Sequence, residues 1–415
     1  MTMSLPEKGR AWPELKEQMV GAKADDYAWE RGRLPLYVYW RDEELGQVAR
    51  EASSLFFVEN GMGKRAFPSV QKLEQDVITM VLGLMQAGPA AAGNFTSGGT
   101  ESIFLAVKTA RDFARARRPD IGKPRIVLAR SAHPAFNKAA HYLDMDVIRV
   151  PLRDDFRADV DAMANALDDN TVLIVGSAPA YPHGVFDPIE ALADLARAHD
   201  LWLHVDACVG GLLSPFVRRL GYDIPPFDFA VDGVTSMSAD LHKYGFTAKG
   251  ASVLMFHDKS LQEHLRFTFD EWPRGIYATD TFLGTRPASP VASAWAVMNY
   301  LGEEGYLDIA RTTMTTKARF AQGLAAIPGL EVLEPNELSF LLYRSNDPDL
   351  NIDAVADGMT ERGWFVGRCV EPPSIQLMFN PVHAEIIGEY LDDLAIVVDQ
   401  VRSTGRVGVL DKATY

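Results

Sequence analysis

From Ser69 onward, apolar residues recur at helical spacing: Val70, Leu73, Val77, Val81, Leu82 and Met85 fall three or four apart on one face. Short apolar runs then alternate with amphipathic segments. The runs Arg125–Ala129, Val147–Val150, Val172–Val175 and Leu201–Val205 read as buried strands, with Ala191–Ala198 as a helix between two of them. Two further runs, Phe229–Val234 and Ala251–Phe256, read as strands on either side of a polar stretch. Such alternation predicts an α/β fold built on a doubly wound, mostly parallel sheet.

The ends of the chain behave differently. Residues 1–60 are polar and broken by Pro6, Pro13, Gly21, Gly32 and Pro35, yet they carry Trp12, Tyr27, Trp29, Tyr37, Tyr39 and Trp40. An arm with that many aromatics packs on something. Turns rich in Pro and Gly fill Arg274–Pro290, and a helical pattern then runs from Val291 to about Leu307. We therefore expect an N-terminal arm over 1–60, a large domain over 61–290, a smaller α+β domain over 291–402 and an aperiodic tail over 403–415.

Composition narrows the function classes. Among 415 residues, 41 Lys and Arg against 56 Asp and Glu give a net charge of −15, which argues against non-specific binding to nucleic acid or anionic membranes. The longest apolar stretches, such as Val77–Met85, fall short of the ~18 residues that span a bilayer. Met1–Arg10 has no apolar core of a signal peptide. Cys208 and Cys369 cannot build a disulfide framework and lack metal-ligand spacing. The expectation is a soluble, cytoplasmic protein with no metal site, nucleic-acid partner or membrane span.

Three segments carry candidate chemistry. In Asn94–Glu101, Gly98 and Gly99 precede a helical pattern from Ser102 to Arg117. Such a turn either brings backbone N–H groups to an anion or is a plain turn capped by Ser97 or Thr100. It has neither the lysine of a P-loop nor the spacing of a dinucleotide fingerprint. Asp206, in His204-Val205-Asp206-Ala207 at the end of an apolar run, either grips a protonated ring nitrogen or caps the next turn. Lys243, in Ser236–Gly245 with Lys249-Gly250 close behind, is either a solvated charge or an amine that forms a Schiff base. Together a phosphate-holding helix start, a carboxylate for a pyridinium and an imine-forming lysine point to pyridoxal 5'-phosphate, the common cofactor that needs all three.

Ser97–Glu101, His204–Ala207 and Ser238–Gly250 resemble the motifs of fold-type-I, aspartate-aminotransferase-like pyridoxal-phosphate enzymes. Within these the chain is most similar to the sphingosine-1-phosphate lyase-like branch of the group II decarboxylase superfamily, from about Leu34 to Val401. Ala132–Phe136, Gly176–Pro179, Tyr181–Gly184, Gly275–Ala278, Arg286-Pro287 and Pro372–Ile375 extend the resemblance.

The resemblance implies roles by position. Lys243 would carry the cofactor, Asp206 would keep its ring nitrogen protonated, and His133 would stack on the ring and assist proton transfer. Gly99, Thr100, Ser238 and His242 would hold the cofactor phosphate, and Tyr39, Lys249 and Arg286 would lie near substrate. Tyr39 as an arm-packing aromatic, and Lys249 and Arg286 as solvated charges, are the plainer alternatives. His183 and His204 read as structural, and Cys208 as a small buried hydrophobe.

The implied activity is retro-aldol cleavage of a phosphorylated amino alcohol to an aldehyde and phosphoethanolamine. The alternatives are an amino-acid decarboxylase (a carboxy-lyase) and a non-catalytic binding protein on the same fold. A small-molecule amine substrate and a homodimer, with the arm crossing to the partner, also follow from the resemblance. The chain departs from the lyase pattern at two places. Asn60-Gly61-Met62-Gly63-Lys64-Arg65 stands for an Asn-Pro-Leu-His-Pro-like stretch, and the turn regions Arg274–Asp280 and Gly284–Ala288 are altered. Lys64 and Arg65 are added cations, and they and Arg274 would either meet a carboxylate or phosphate or sit on the surface.

Overall fold

The computed structural model describes residues 4–62 and 65–408, so Lys64 and the end of the tail lie outside the described residues. Seven strands form the central sheet: β1 (Ala92–Thr96), β2 (Arg125–Ala129), β3 (Asp146–Val150), β4 (Thr171–Ser177), β5 (Trp202–Asp206), β6 (Ser236–Ala239) and β7 (Ser252–Phe256). Their order is β1-β7-β6-β5-β4-β2-β3, and β7 alone runs against the others.

Successive side chains of a strand point to opposite faces, and here both faces are covered. Val127 and Ala129 of β2 enter one apolar core while Ile126 and Leu128 enter the other. In β7, Val253 and Met255 part from Leu254 and Phe256 in the same way. The helices Gly99–Arg117 and Ala135–Tyr142 pack on the second face. Double burial removes the polar alternation, which is why these strands appear as unbroken apolar runs.

One expected strand is absent. Phe229–Val234 is a turn segment, in which Asp228 Oδ1 accepts from Ala230 N and Gly233 adopts φ +103°. The strand is instead Ser236–Ala239, whose hydroxyls are satisfied within the sheet. Ser236 Oγ accepts from Trp202 Nε1 at 2.7 Å and lies 2.8 Å from His204 Nδ1.

A hairpin of β8 (Phe267–Phe269) and β9 (Tyr277–Thr279) projects from the large unit. The smaller unit is an antiparallel sheet of β10 (Leu330–Val332), β11 (Phe340–Ser345), β12 (Gly367–Val370) and β13 (Pro373–Met378), in the order β10-β11-β13-β12. The helix Ser289–Leu324 joins the two and extends well beyond the predicted Leu307, with a break at Gly302 (φ 56°). Residues up to Met314 belong to the large core, and Phe320 and Leu324 to the small one. The change of core thus falls inside the helix, not at 290.

The arm divides in two. Its helix Trp12–Gly21 buries no residue, whereas the stretch after it lies across the small unit, with Phe365 N donating to Arg33 O and Met378 N to Pro35 O. No helix among the described residues is long and apolar enough to cross a membrane. The carboxyl ends of β1, β4, β5 and β6 share one edge of the sheet, which brings the segments after Thr96, Ser177, Asp206 and Ala239 together. Ligand sites of open α/β sheets form at such an edge.

Candidate active site

A cavity of about 340 Å³ opens at that edge, lined by Gly98, Gly99, Thr100, Glu101, His133, Asp206, His242 and Lys243 among others. The helix Gly99–Arg117 points its start into it, and no side chain caps that start. Ser97 and Thr100 are therefore not its caps, and the first N–H groups face the cavity. Gly98 adopts φ +147°, a backbone state open to glycine, and a Cβ there would meet His242 at 3.3 Å. A Cβ on Gly99 would meet Cys208 Sγ at 2.8 Å and Asp240 Oδ2 at 2.9 Å. Two glycines are required to keep this cradle open.

Asp206 ends β5 and is 8% exposed. Its Oδ1 accepts from Cys208 N at 3.1 Å and from Ser238 Oγ at 3.4 Å, so the carboxylate is oriented from behind. This corrects the expectation for Ser238. Its hydroxyl is fully buried against Asp206, His204 and Cys208 and does not line the cavity, so it steadies the carboxylate in place of holding an anion. His204 is structural as expected, with burial pushing its pKa down to about 4.

Lys243 Nζ lies 3.0 Å from Asp240 Oδ2. Burial works against the ammonium, but the Asp240 carboxylate together with Cys208, Tyr39 and Asp206 holds the lysine pKa well above its ordinary value. Burial likewise opposes the Asp240 charge, and Lys243 and His242 reverse that, so the carboxyl stays below its usual range. Both partners favour the ionised pair. Asp240 stood inside a motif but drew no role from the sequence. A carboxylate three residues before a lysine was the available signal.

The two imidazoles are oriented by backbone. Ala135 N donates to His133 Nδ1 at 3.1 Å, and Ala251 N to His242 Nδ1 at 3.2 Å. Each neutral ring then carries its proton on Nε2. Burial lowers both pKa values and so favours the neutral rings. In this tautomer His133 Nε2 is a donor.

Tyr39 borders an adjoining cavity of about 470 Å³, walled by Trp40, Arg41, Leu45, Arg50 and Phe246–Ala248. Its ring meets Tyr244 edge-on at 4.8 Å, so it does pack the arm, while Lys243 acts on its phenol across the site. Lys249 is exposed as a residue, but its ammonium turns inward, donating to Tyr37 O at 2.9 Å and His242 O at 3.2 Å over the Tyr39 ring. Burial of the ammonium, and then the Lys243 charge, bring its pKa down to about 8.

Arg286 departs from expectation. It lines a separate polar cavity of about 220 Å³ and pairs with Glu74 at 2.8 Å, while also donating to Phe95 O. The turn alone gave no sign of Glu74. Arg65 and Arg274 are exposed.

The protein comparisons agree with this geometry. Residues 52–344 match the family described as the pyridoxal-dependent decarboxylase conserved domain. A sphingosine-1-phosphate lyase of Oryza sativa subsp. japonica is 40% identical over 92% of this chain and 71% of its own length. One from Arabidopsis thaliana is 38% identical over 97% of this chain and 74% of its own. The solved structure of a sphingosine-1-phosphate lyase from Burkholderia pseudomallei K96243 superposes with a TM-score of 0.92 at 35% identity, covering 97% of this chain and 94% of that one.

Two outcomes follow from the charges. Lys243→Ala leaves Asp240 buried without its cation and should lower the unfolding free energy by about 3 kcal/mol, toward the small end for a broken buried pair because the cavity admits solvent. Urea denaturation should show most of that loss recovered in the Lys243→Ala, Asp240→Asn double variant; an unimproved double variant would contradict the assignment. Lys249 is cationic below about 8 and neutral above it. Calorimetric titration with phosphoethanolamine should show affinity falling as pH rises from about 7 to about 9, and Lys249→Arg, which stays charged, should flatten that profile.

Proposed function

The chain belongs to the pyridoxal-dependent decarboxylase family, in its sphingosine-1-phosphate lyase branch, and from this premise we propose that it is a pyridoxal-phosphate-dependent carbon–carbon lyase. Its substrate is a phosphorylated amino alcohol, cleaved to an aldehyde and phosphoethanolamine. The observation that carries the reading is the convergence of Lys243, Asp206, His133 and the glycine turn on one cavity.

The residues present suit the cofactor. The glycine cradle that a Cβ would fill and the uncapped helix start fit its phosphate, with Gly99, Thr100 and His242 around it. Asp206 would hold a proton on the ring nitrogen, and Lys243 would be the amine that joins the cofactor. Pyridoxal phosphate, when bound, supplies an electron sink for the bond broken at the amine-bearing carbon.

The chain's own groups do the rest. His133 would border the cofactor and donate Nε2–H to a substrate oxygen. Lys243 Nζ in its neutral form would accept the β-hydroxyl proton, and Asp240 would pair with the resulting ammonium. This assignment moves proton transfer from His133 to Lys243. Lys249 and Tyr39 face the substrate's phosphate end. Cys208 and Cys369 are both unpaired, which fits a reducing, cytoplasmic setting.

We further propose a homodimer. In β8, Phe267 is 56% and Phe269 45% exposed, and Ile276 beside β9 is 74% exposed. A two-stranded hairpin is marginal by itself, and apolar residues grouped on one exposed feature call for a partner surface. The unburied helix Trp12–Gly21 exposes Trp12, Met19 and Val20 in the same way. A second copy covers these surfaces.

Holoenzyme incubated with a phosphorylated 2-amino-1,3-diol should release the aldehyde and phosphoethanolamine, both read by mass spectrometry, and Lys243→Ala should reduce release to background. Carbon dioxide from amino acids, with no aldehyde from any phosphorylated amino alcohol, would replace this reading with the decarboxylase chemistry of the family. Size-exclusion chromatography with light scattering should give twice the chain mass of 45.8 kDa. A monomer at micromolar concentration, with the hairpin still exposed, would refute the dimer.

A further inference from the structure

Glu101 is 8% exposed, and its two oxygens serve different parts of the chain. Oε2 accepts from Ser97 N at 2.6 Å. That bond is local: the third residue of a helix reaches back to the chain just before it, much as in a capping box. Oε1 accepts from Phe282 N at 2.8 Å, across 181 residues of sequence. Nothing in helix capping calls for this second bond. It fastens the tip of the 279–288 segment to the turn that receives the cofactor phosphate.

The base of that segment is held independently. Gly61 N donates to Arg286 O, Ala288 N to Glu59 O, and Arg286 pairs with Glu74. At the tip, Phe282 is 67% exposed and its ring meets Phe104 edge-on at 5.3 Å. The backbone bond to Glu101 ties the tip to the cofactor turn, while the Arg266–Asp280 ion pair at 2.7 Å holds the start of the segment to the body. The segment is also one of those in which this chain departs from the lyase pattern, and it lines the separate cavity of about 220 Å³.

We propose that Glu101 is a positioning residue that makes the order of the 279–288 segment depend on occupancy of the cofactor site. The cause is electrostatic. A phosphate at the start of the Gly99 helix and the Glu101 carboxylate compete for the same positive helix end. Two anions so close repel, which holds Glu101 outward on the Phe282 N–H, and fixing the first helical turn fixes the carboxylate it carries. The inference rests on reading that turn as the cofactor phosphate site and not on the identity of the substrate.

Hydrogen exchange of the full chain, followed by mass spectrometry with and without pyridoxal phosphate, tests it, while the visible absorbance of the same samples reports cofactor binding. In the unaltered protein, the cofactor should slow exchange across 279–286 by about tenfold, the size expected when one hydrogen bond to a charged group is secured. Glu101→Gln can satisfy only one of the two N–H donors; it should still bind the cofactor but lose that response. Phe282→Pro removes the donor without touching the cofactor turn, and should lose the response in the flanking amides as well. A merely structural role would speed exchange equally with and without cofactor. Such uniform loosening, a response retained in Glu101→Gln, or cofactor-insensitive exchange in the unaltered protein that absorbance shows to be loaded would each overturn the proposal. Absence of any cofactor absorbance would instead sink the cofactor reading beneath it.

Discussion

A lysine that must be both buried and reactive is the constraint around which the chain is arranged. Withdrawing an ammonium from water costs several kcal/mol unless an opposite charge stands close by. Asp240, 3.0 Å from Lys243, meets that demand but becomes a second buried charge near the Asp206 carboxylate. Each carboxylate then needs its own support. Asp240 has Lys243 and His242; Asp206 has Cys208 N and Ser238 Oγ. The edge of a parallel sheet is where this is feasible, because strand ends expose backbone N–H groups and helix starts converge there. The double burial of the strands follows from the need to hold that edge rigid.

Much of the fold was legible because buried strands announce themselves as apolar runs. β2, β3, β4, β5 and β7 lie where the pattern placed them. β6 escaped because its serines look polar; the groups that satisfy them, Trp202 and His204, sit in a neighbouring strand. The helix Ser289–Leu324 was cut short for a related reason. Its second half carries several threonines, poor helix formers in isolation, yet Thr313 and Thr316 are buried with Ile309 and Ala310 along a packed face. Tertiary packing overrode propensity.

In the site, Lys243, Asp206 and His133 were legible from short motifs, and they meet in one cavity. Asp240 and Glu101 stood inside quoted motifs without a role, since each acts on a group that only the folded chain brings near. The hydrogen-bond partners of Ser238 and Arg286 were hidden for the same reason, being remote in sequence. The two departures from the lyase pattern prove to be neighbours. Asn60 bridges Pro287, and a Cβ on Gly61 would meet Arg286 Nη2 at 2.9 Å. Glycine at 61, where the lyase pattern has proline, thus lets Arg286 lie back on Glu74. The altered stretch at Asn60-Gly61 lies against the Arg286-Pro287 turn.

The pairing of β1 with β7 has a consequence for how the protein is made. β1 is synthesised early, but the strand that flanks it, Ser252–Phe256, leaves the ribosome long afterwards. Until then the glycine turn has neither Asp240 nor Lys243 opposite it, and the nascent chain presents an unpaired strand edge to the cell. A ligand that binds only the closed sheet adds to its stability by mass action. A cofactor bound at this edge therefore adds to the stability of the finished chain and draws it away from the aggregation-prone open state.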